Sequence, residues 1–271
     1  MIRYQRELTA AVLIPAVLAI LIAAPPWAFS LLVAAAAAIA LVEFYGLLET
    51  AGWIVPRYAG LAVFFAMLYA AYAASAVALV ALAGIALLVL PTLVMFASPP
   101  EAILLPSSAA SVFATLYVAA GGAAVIALRA LSWKPVLFVL ATVWASDSAA
   151  YYVGRKWGKR KLAPVVSPKK TWAGLFGQLA GGLTFGIVAV VLAGSRAPSV
   201  LAAGAAMGLL VAGVAVLGDL VESTFKRSCH VKDSGGLLPG HGGLLDRLDS
   251  LLYASPVVLF VLTLAPEALP R

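Results

Sequence analysis

Charge is scarce in this chain: Asp, Glu, Lys and Arg make up 11% of its 271 residues, while 64% are hydrophobic. Soluble globular chains run at roughly 25% charged and about 45–50% apolar, so water is excluded as the solvent for most of this surface. Histidine is limited to two residues and cysteine to Cys229. A single thiol excludes an intramolecular disulfide, and so few His and Cys exclude a zinc cluster. The apolar stretches are continuous and do not alternate, which excludes a lipid-facing barrel. No internal repeat is evident, which argues against a transporter built from repeated halves.

What is present is a series of apolar runs, with mean hydropathy +1.06. Runs near 8–24, 27–48, 59–74, 76–97, 108–129, 135–153, 173–194, 199–219 and 250–266 are bounded by Pro, Gly or charge. Each approaches the ~20 residues a helix needs to cross a bilayer, and helices alone satisfy their own backbone there. The expected fold is all-α, a polytopic integral membrane bundle of about nine transmembrane helices. The third and fourth runs lack a polar loop, and Tyr72–Ser75 is the expected turn. Arg3 and Arg6 before the first run imitate a signal peptide, but the many later spans favour an uncleaved anchor.

Net charge is +7. In a membrane protein this excess reads as a topology marker before it reads as nucleic-acid affinity, and no nucleic-acid partner is expected. A cytoplasmic N-terminus with nine alternating spans puts every Lys and Arg inside except Arg129, Lys134, Arg196 and Arg271. That bias sets the expected orientation, with the C-terminus on the opposite side.

Residues 1–130 are rich in Ala, Leu and Val and read as membrane scaffold. The tract Ala34–Ala38 lets helices approach closely. Glu7, Glu43, Glu49 and Glu101 read as interfacial acids at span ends, with a cavity-facing place the alternative for Glu43. Residues 131–271 carry the chemistry, and Asp147, Asp219, Glu222, Asp233, Asp246 and Asp249 all fall there, at or beside the expected cytoplasmic ends of the last four spans. Carboxylates inside a membrane cost about 2.5–3.5 kcal/mol each on insertion scales, so their retention points to function.

Three stretches stand out. Asp147 lies inside a span, flanked by the small residues Ser146, Ser148 and Ala149, which leave room for a polar cavity. The segment GRKWGKRKLAPVVSPKKTW over 154–172 imitates a phosphate-binding loop, yet Lys159 is followed by Arg160 instead of Ser or Thr. In SPKKT, Ser167 and Thr171 offer hydrogen bonds and Lys169 and Lys170 offer charge to a phosphate. Residues 219–249 read DLVESTFKRSCHVKDSGGLLPGHGGLLDRLD. Asp219, Glu222, Ser223 and Lys226 share a face if the eighth helix continues. Asp246 and Asp249 share a face of the next helix, behind a glycine-rich turn that can present backbone N–H groups to anions. Oxygen-only acids beside Lys and Arg suit a hard cation such as Mg²⁺ bound together with phosphates, and a second cation stays open.

These residues resemble the phosphatidate cytidylyltransferase family (CDP-diacylglycerol synthases, also called CDP-diglyceride synthases). Ser223, Phe225, Lys226, Arg227, Lys232, Asp233, Pro239, His241, Gly242, Gly243, Asp246, Arg247 and Asp249 match its long C-terminal motif in order and spacing. Asp147, Tyr151, Gly154, Lys161–Pro164 and Ser167–Thr171 resemble a second block, whereas Ala173 stands where a polar or acidic residue is expected. The resemblance covers about residues 140–250 and implies transfer of CMP from CTP to phosphatidic acid, giving CDP-diacylglycerol and pyrophosphate in phospholipid biosynthesis. Asp219, Asp246, Asp249 and Asp147 are then the expected metal ligands. Asp219, Asp246, Asp249, Lys226 and Arg247 are the expected catalytic set. Ser167, Lys169, Lys170, Thr171, Ser223, Arg227, Lys232 and His241 are expected to bind CTP or lipid phosphate. The expected setting is a bacterial inner membrane with the site facing the cytoplasm, and small-residue faces are compatible with a homodimer. A CTP-using lipid kinase is the nearest rival, and it would release CDP instead of pyrophosphate.

Overall fold

A computed structural model describes residues 2–97, 104–235 and 242–265. His241, Pro239, Glu101 and Arg271, named above, lie outside the described residues. Nine helices occur among those described: α1 Ile2–Ala23, α2 Pro26–Thr50, α3 Arg57–Tyr72, α4 Ala76–Ala97, α5 Leu104–Leu131, α6 Trp133–Trp157, α7 Trp172–Leu192, α8 Pro198–Ser228 and α9 Leu245–Leu264. Seven of them are long and apolar enough to cross a membrane, and the chain is an integral membrane protein. Ala11–Ala23 within α1 and the whole of α3 are shorter apolar helices. At 1.5 Å per residue α3 rises roughly 24 Å, short of the ~30 Å hydrocarbon core. Its first residue, Arg57, pairs with Glu49, and a tight turn follows its last.

That turn falls at Ala73–Ser75, inside the Tyr72–Ser75 segment expected to bend. The Ala74 N–H donates to the Ala71 carbonyl and the Ser75 N–H to the Ala70 carbonyl, closing the end of α3. Ser75 Oγ then accepts the Ala78 N–H and starts α4. α2 begins with Pro26 in its first turn, where a missing N–H costs nothing, and ends at Gly52 with φ +80.

The chain divides into two compact units. Unit 1 holds Met1–Ala130 and Phe225–Leu248; unit 2 holds Leu131–Thr224 and Asp249–Arg271. The core of unit 1 is built on Leu41, Phe44, Tyr45, Leu48, Phe64 and Val118. Tyr45 Oη shares a 2.6 Å hydrogen bond with Thr115 Oγ1. Phe225 stacks on Phe113 at 4.7 Å and meets Phe44 edge-on at 5.3 Å. Such aromatic pairs contribute about 0.5–1.5 kcal/mol beyond area. They anchor the last turn of α8 to α2 and α5.

In unit 2, glycine lets helix backbones touch. A Cβ on Gly182 of α7 would lie 2.5 Å from the Gly208 carbonyl oxygen of α8, and one on Gly204 would lie 2.7 Å from that of Gly186. Two Gly-x-x-x-Gly stretches, 182–186 and 204–208, therefore face each other, the membrane solution for close helix crossing. α6 packs against α7 through Gly177 and Gly181, whose Cβ positions would meet Val153 and Ala149. Between α6 and α7 lies a feature the apolar pattern does not announce: a two-stranded antiparallel hairpin, β1 Lys161–Ala163 and β2 Ser167–Thr171. Thr171 Oγ1 accepts the Gly174 N–H at 3.1 Å and starts α7.

Candidate active site

The polar residues gather in two clusters, one in each unit. In unit 2, β2 delivers Lys170 to Asp219 near the C-terminal end of α8, with Nζ 2.7 Å from Oδ2. The strand pleat sends consecutive side chains to opposite faces, so Lys169 leaves Lys170 and is exposed. One helical turn beyond Asp219, Ser223 Oγ donates to Asp219 Oδ1 at 3.2 Å. Glu222 and Ser223 are buried on α8, whereas Asp219 is half-buried. The helix does continue past its apolar run, to Ser228, because Lys226 and Arg227 in the last turn suit its negative end.

Asp249, in the first turns of α9, is buried at 8% exposure, and its Oδ1 accepts the Ser250 N–H at 2.6 Å. Ser250 Oγ donates to the Ala215 carbonyl and ties α9 to α8. Asp147 on α6 is exposed and accepts a 2.8 Å hydrogen bond from Gln178 Nε2 of α7. Asp147, Asp219 and Asp249 lie close enough to repel one another, and Lys170 is their common counter-charge. Gln178 lies outside every motif of the sequence. The signal available was a lone amide in an apolar span, which is costly unless partnered.

The second cluster lies in unit 1. Lys226 Nζ is 2.7 Å from Asp246 Oδ1, and both side chains are only 11% exposed. Asp246 Oδ2 accepts the Gly243 N–H at 3.0 Å and the Ser234 N–H at 3.3 Å. Asp246 therefore holds the backbone of Ser234 and Gly243 as well as the lysine. Arg227 donates to the Val231 carbonyl at 3.1 Å, and His230 adopts φ +57 to close α8. Arg227, Lys232 and Arg247 are exposed cations in the same unit. Burial pushes the neighbouring Cys229 thiol above its ordinary range.

Glu43 is the acid whose expected place needs correction. It lies well inside α2, not at its end, and its Oε2 accepts the Leu245 N–H at 2.8 Å and the Ser234 hydroxyl at 3.4 Å. Glu49, by contrast, is an exposed partner of Arg57.

The donor chemistry can be set against a metal. Among the described residues no three His, Cys, Asp or Glu side chains form a ready group for a metal ion. Mg²⁺ needs none, since it is commonly held by one or two carboxylates with water and substrate phosphates. Asp147, Asp219 and Asp249 of unit 2 are hard oxygen donors of the type that ion takes one or two at a time.

Membrane-crossing helices that carry carboxylate and lysine clusters at their ends define a polytopic membrane protein with a charged site. The chain belongs to the cytidylyltransferase family, whose model matches residues 4–265. It is similar to proteins named phosphatidate cytidylyltransferase in three bacteria. The Haemophilus influenzae protein is 46% identical over 126 residues, covering 45% of this chain and 43% of the relative. The Mycobacterium tuberculosis protein is 40% identical over 156 residues, covering 58% and 46%. The Pseudomonas aeruginosa protein is 44% identical over 137 residues, covering 50% and 49%. The chain spans about half the length of the curated relatives it matches.

Proposed function

We propose that this protein is a CTP:phosphatidate cytidylyltransferase, a nucleotidyltransferase that makes CDP-diacylglycerol and pyrophosphate from CTP and phosphatidic acid. The observation that carries the reading is the cluster of Asp147, Asp219 and Asp249 around Lys170 in a member of the cytidylyltransferase family. An oxygen of the lipid phosphate attacks the α-phosphorus of CTP, and the bond from that phosphorus to the β-phosphate bridging oxygen breaks. A phosphate monoester already carries ionised oxygens, so the chain need not supply a nucleophile or a strong base. Its task is to bring two anions together and to stabilise charge as pyrophosphate leaves.

Asp219 and Asp249, with Asp147, would hold Mg²⁺, which when bound neutralises phosphate charge and steadies the leaving group. Ser223 orients Asp219. Lys170 sits on the same carboxylate and would move to phosphate as the substrates and metal arrive. In unit 1, Lys226, Arg227, Lys232 and Arg247 keep the phosphate-binding role that the family resemblance implies. Asp246 has Lys226 and two backbone N–H groups on its oxygens, which supports a role in holding that lysine and that backbone. A metal there would have to displace Lys226. Ser167 and Lys169 in β2, with His241, complete the proposed phosphate contacts, and Thr171 serves them by starting α7. The basic-residue bias supports a site facing the cytoplasm of a bacterial inner membrane.

The test uses purified protein with phosphatidate, Mg²⁺ and CTP labelled at either the α- or the γ-phosphate. Lipid-phase label from the α position alone is the expected result. Lipid label from the γ position, with CDP released, would identify a kinase and overturn the proposal.

A further inference from the structure

We infer that Glu43, on a helix outside every motif in the sequence, is a positioning residue that sets the N-terminus of α9 and the nearby Ser234. This rests on the reading of that segment as part of a cytidylyltransferase site.

The argument begins with what a helix start lacks. The first N–H groups of α9 have no partner within the helix and carry its positive end. The residues just before it, Gly243 and Leu244, offer no side-chain oxygen to receive them. Glu43 supplies one from α2, 202 residues away, at 2.8 Å from the Leu245 N–H. Its reach to the Ser234 hydroxyl fixes that residue too. Ser234 is thereby shared: its hydroxyl goes to Glu43 and its N–H to Asp246.

The loop backbone is fitted to this carboxylate. A Cβ on Gly235 would lie 2.7 Å from Glu43 Oε1, and one on Gly243 would lie 2.6 Å from Oε2. A larger residue at Gly235 would push on the carboxylate, and one at Gly243 would push first on Ser234 Oγ, at 2.0 Å, and then on the carboxylate. Glu43 Oε1 is buried and has no hydrogen-bond partner among the described residues. A carboxylate held this way is expensive in an apolar span, and among the described residues it holds Ser234 and Leu245. Next to it, Phe44 meets Phe225, so one turn of α2 fixes both the end of α8 and the start of α9. Moving that turn would move the Lys226–Asp246 pair and Arg247 together.

Three variants and two readouts test this. Glu43→Ala removes both acceptors, Glu43→Asp keeps charge but shortens the reach, and Glu43→Gln keeps an acceptor oxygen. Glu49→Ala on the same helix is the control. Amide hydrogen exchange over 242–248 should speed up at least tenfold in Glu43→Ala and stay near the parent in Glu49→Ala. In cytidylyl transfer, Glu43→Ala should lose tenfold or more in kcat with little change in the KM for CTP, and Glu43→Gln should regain most of the loss. If Glu43→Ala does not fold, Glu43→Asp decides: a lowered kcat with parental helix content supports the inference, and a parental kcat overturns it. Unchanged exchange over 242–248 in Glu43→Ala also overturns it, whatever the reaction. Faster exchange in a protein whose parent transfers no CMP would leave the positioning role standing and remove the proposed activity instead.

Discussion

Replacing Gly182 by alanine places a methyl group 2.5 Å from the Gly208 carbonyl oxygen and 3.2 Å from its carbon. Carbon and oxygen settle at about 3.3–3.6 Å, so roughly 0.8–1 Å must be made up. The obstacles are this backbone and the Ala212 Cβ at 2.4 Å, neither of which can rotate aside as a longer side chain would. α7 and α8 must therefore part along the Gly182–Gly186 and Gly204–Gly208 seam. A gap of about 0.5–1 Å forfeits a quarter to a half of each contact's attraction. The expected loss is about 1–3 kcal/mol, the usual range for overpacking. Gly213 on α8 is the internal control, because its Cβ would meet only Leu179 Cδ2, at 3.7 Å. There the same substitution removes backbone freedom without a clash and should be neutral or stabilising by up to about 1 kcal/mol. Thermal melts in one detergent, followed by helical circular dichroism, should rank Gly182→Ala below the parent and Gly213→Ala at or above it. A Gly182→Ala protein that melts with or above Gly213→Ala would refute the close-contact reading.

Lys226→Met should destabilise by about 3–5 kcal/mol, because it strands Asp246 without its cation, and adding Asp246→Asn should recover part of the loss in a double-mutant cycle. The Lys170–Asp219 pair is more exposed, at 21% and 42%, so Lys170→Gln should shift the melt by less than ~1 kcal/mol while cytidylyl transfer falls at least tenfold. Cys229 should label far more slowly in folded than in unfolded protein at pH 8. Its pKa is raised in the fold, so the native state favours the protonated thiol. The associated stability is present below the ordinary value of 9.0 and lost as pH rises beyond it, a trend that melts above pH 9 of the parent and Cys229→Ser will check.

The helices were legible because apolar length alone dictates them in a membrane chain. The continuation of α8 to Ser228 was legible as a condition, since the spacing of Asp219, Ser223 and Lys226 makes sense only on a helix. The β1–β2 hairpin was not. Its strands are three and five residues long, and SPKKT has no apolar alternation to announce them. The facing Gly-x-x-x-Gly pairs are visible in the sequence, but their mutual contact is a property of packing. The roles of Asp147 and Glu43 divide on the same principle. Asp147 stood out because its neighbours are small and polar, although its partner Gln178 did not. Glu43 resembled an ordinary interfacial acid because its partners, Ser234 and Leu245, lie 191 and 202 residues away. For Asp246 the sequence supplied a carboxylate in a motif, and the fold supplied its occupants, Lys226, Ser234 and Gly243.

The central claim is the identity of the reaction, and phosphorus NMR of one mixture tests it most directly. Purified protein in phosphatidate-containing micelles with CTP and Mg²⁺ should convert the lipid phosphomonoester signal into a lipid-bound diphosphate diester, with one pyrophosphate released per lipid consumed. An unchanged phosphatidate signal from folded protein, or CDP accumulating in place of pyrophosphate, would contradict the account.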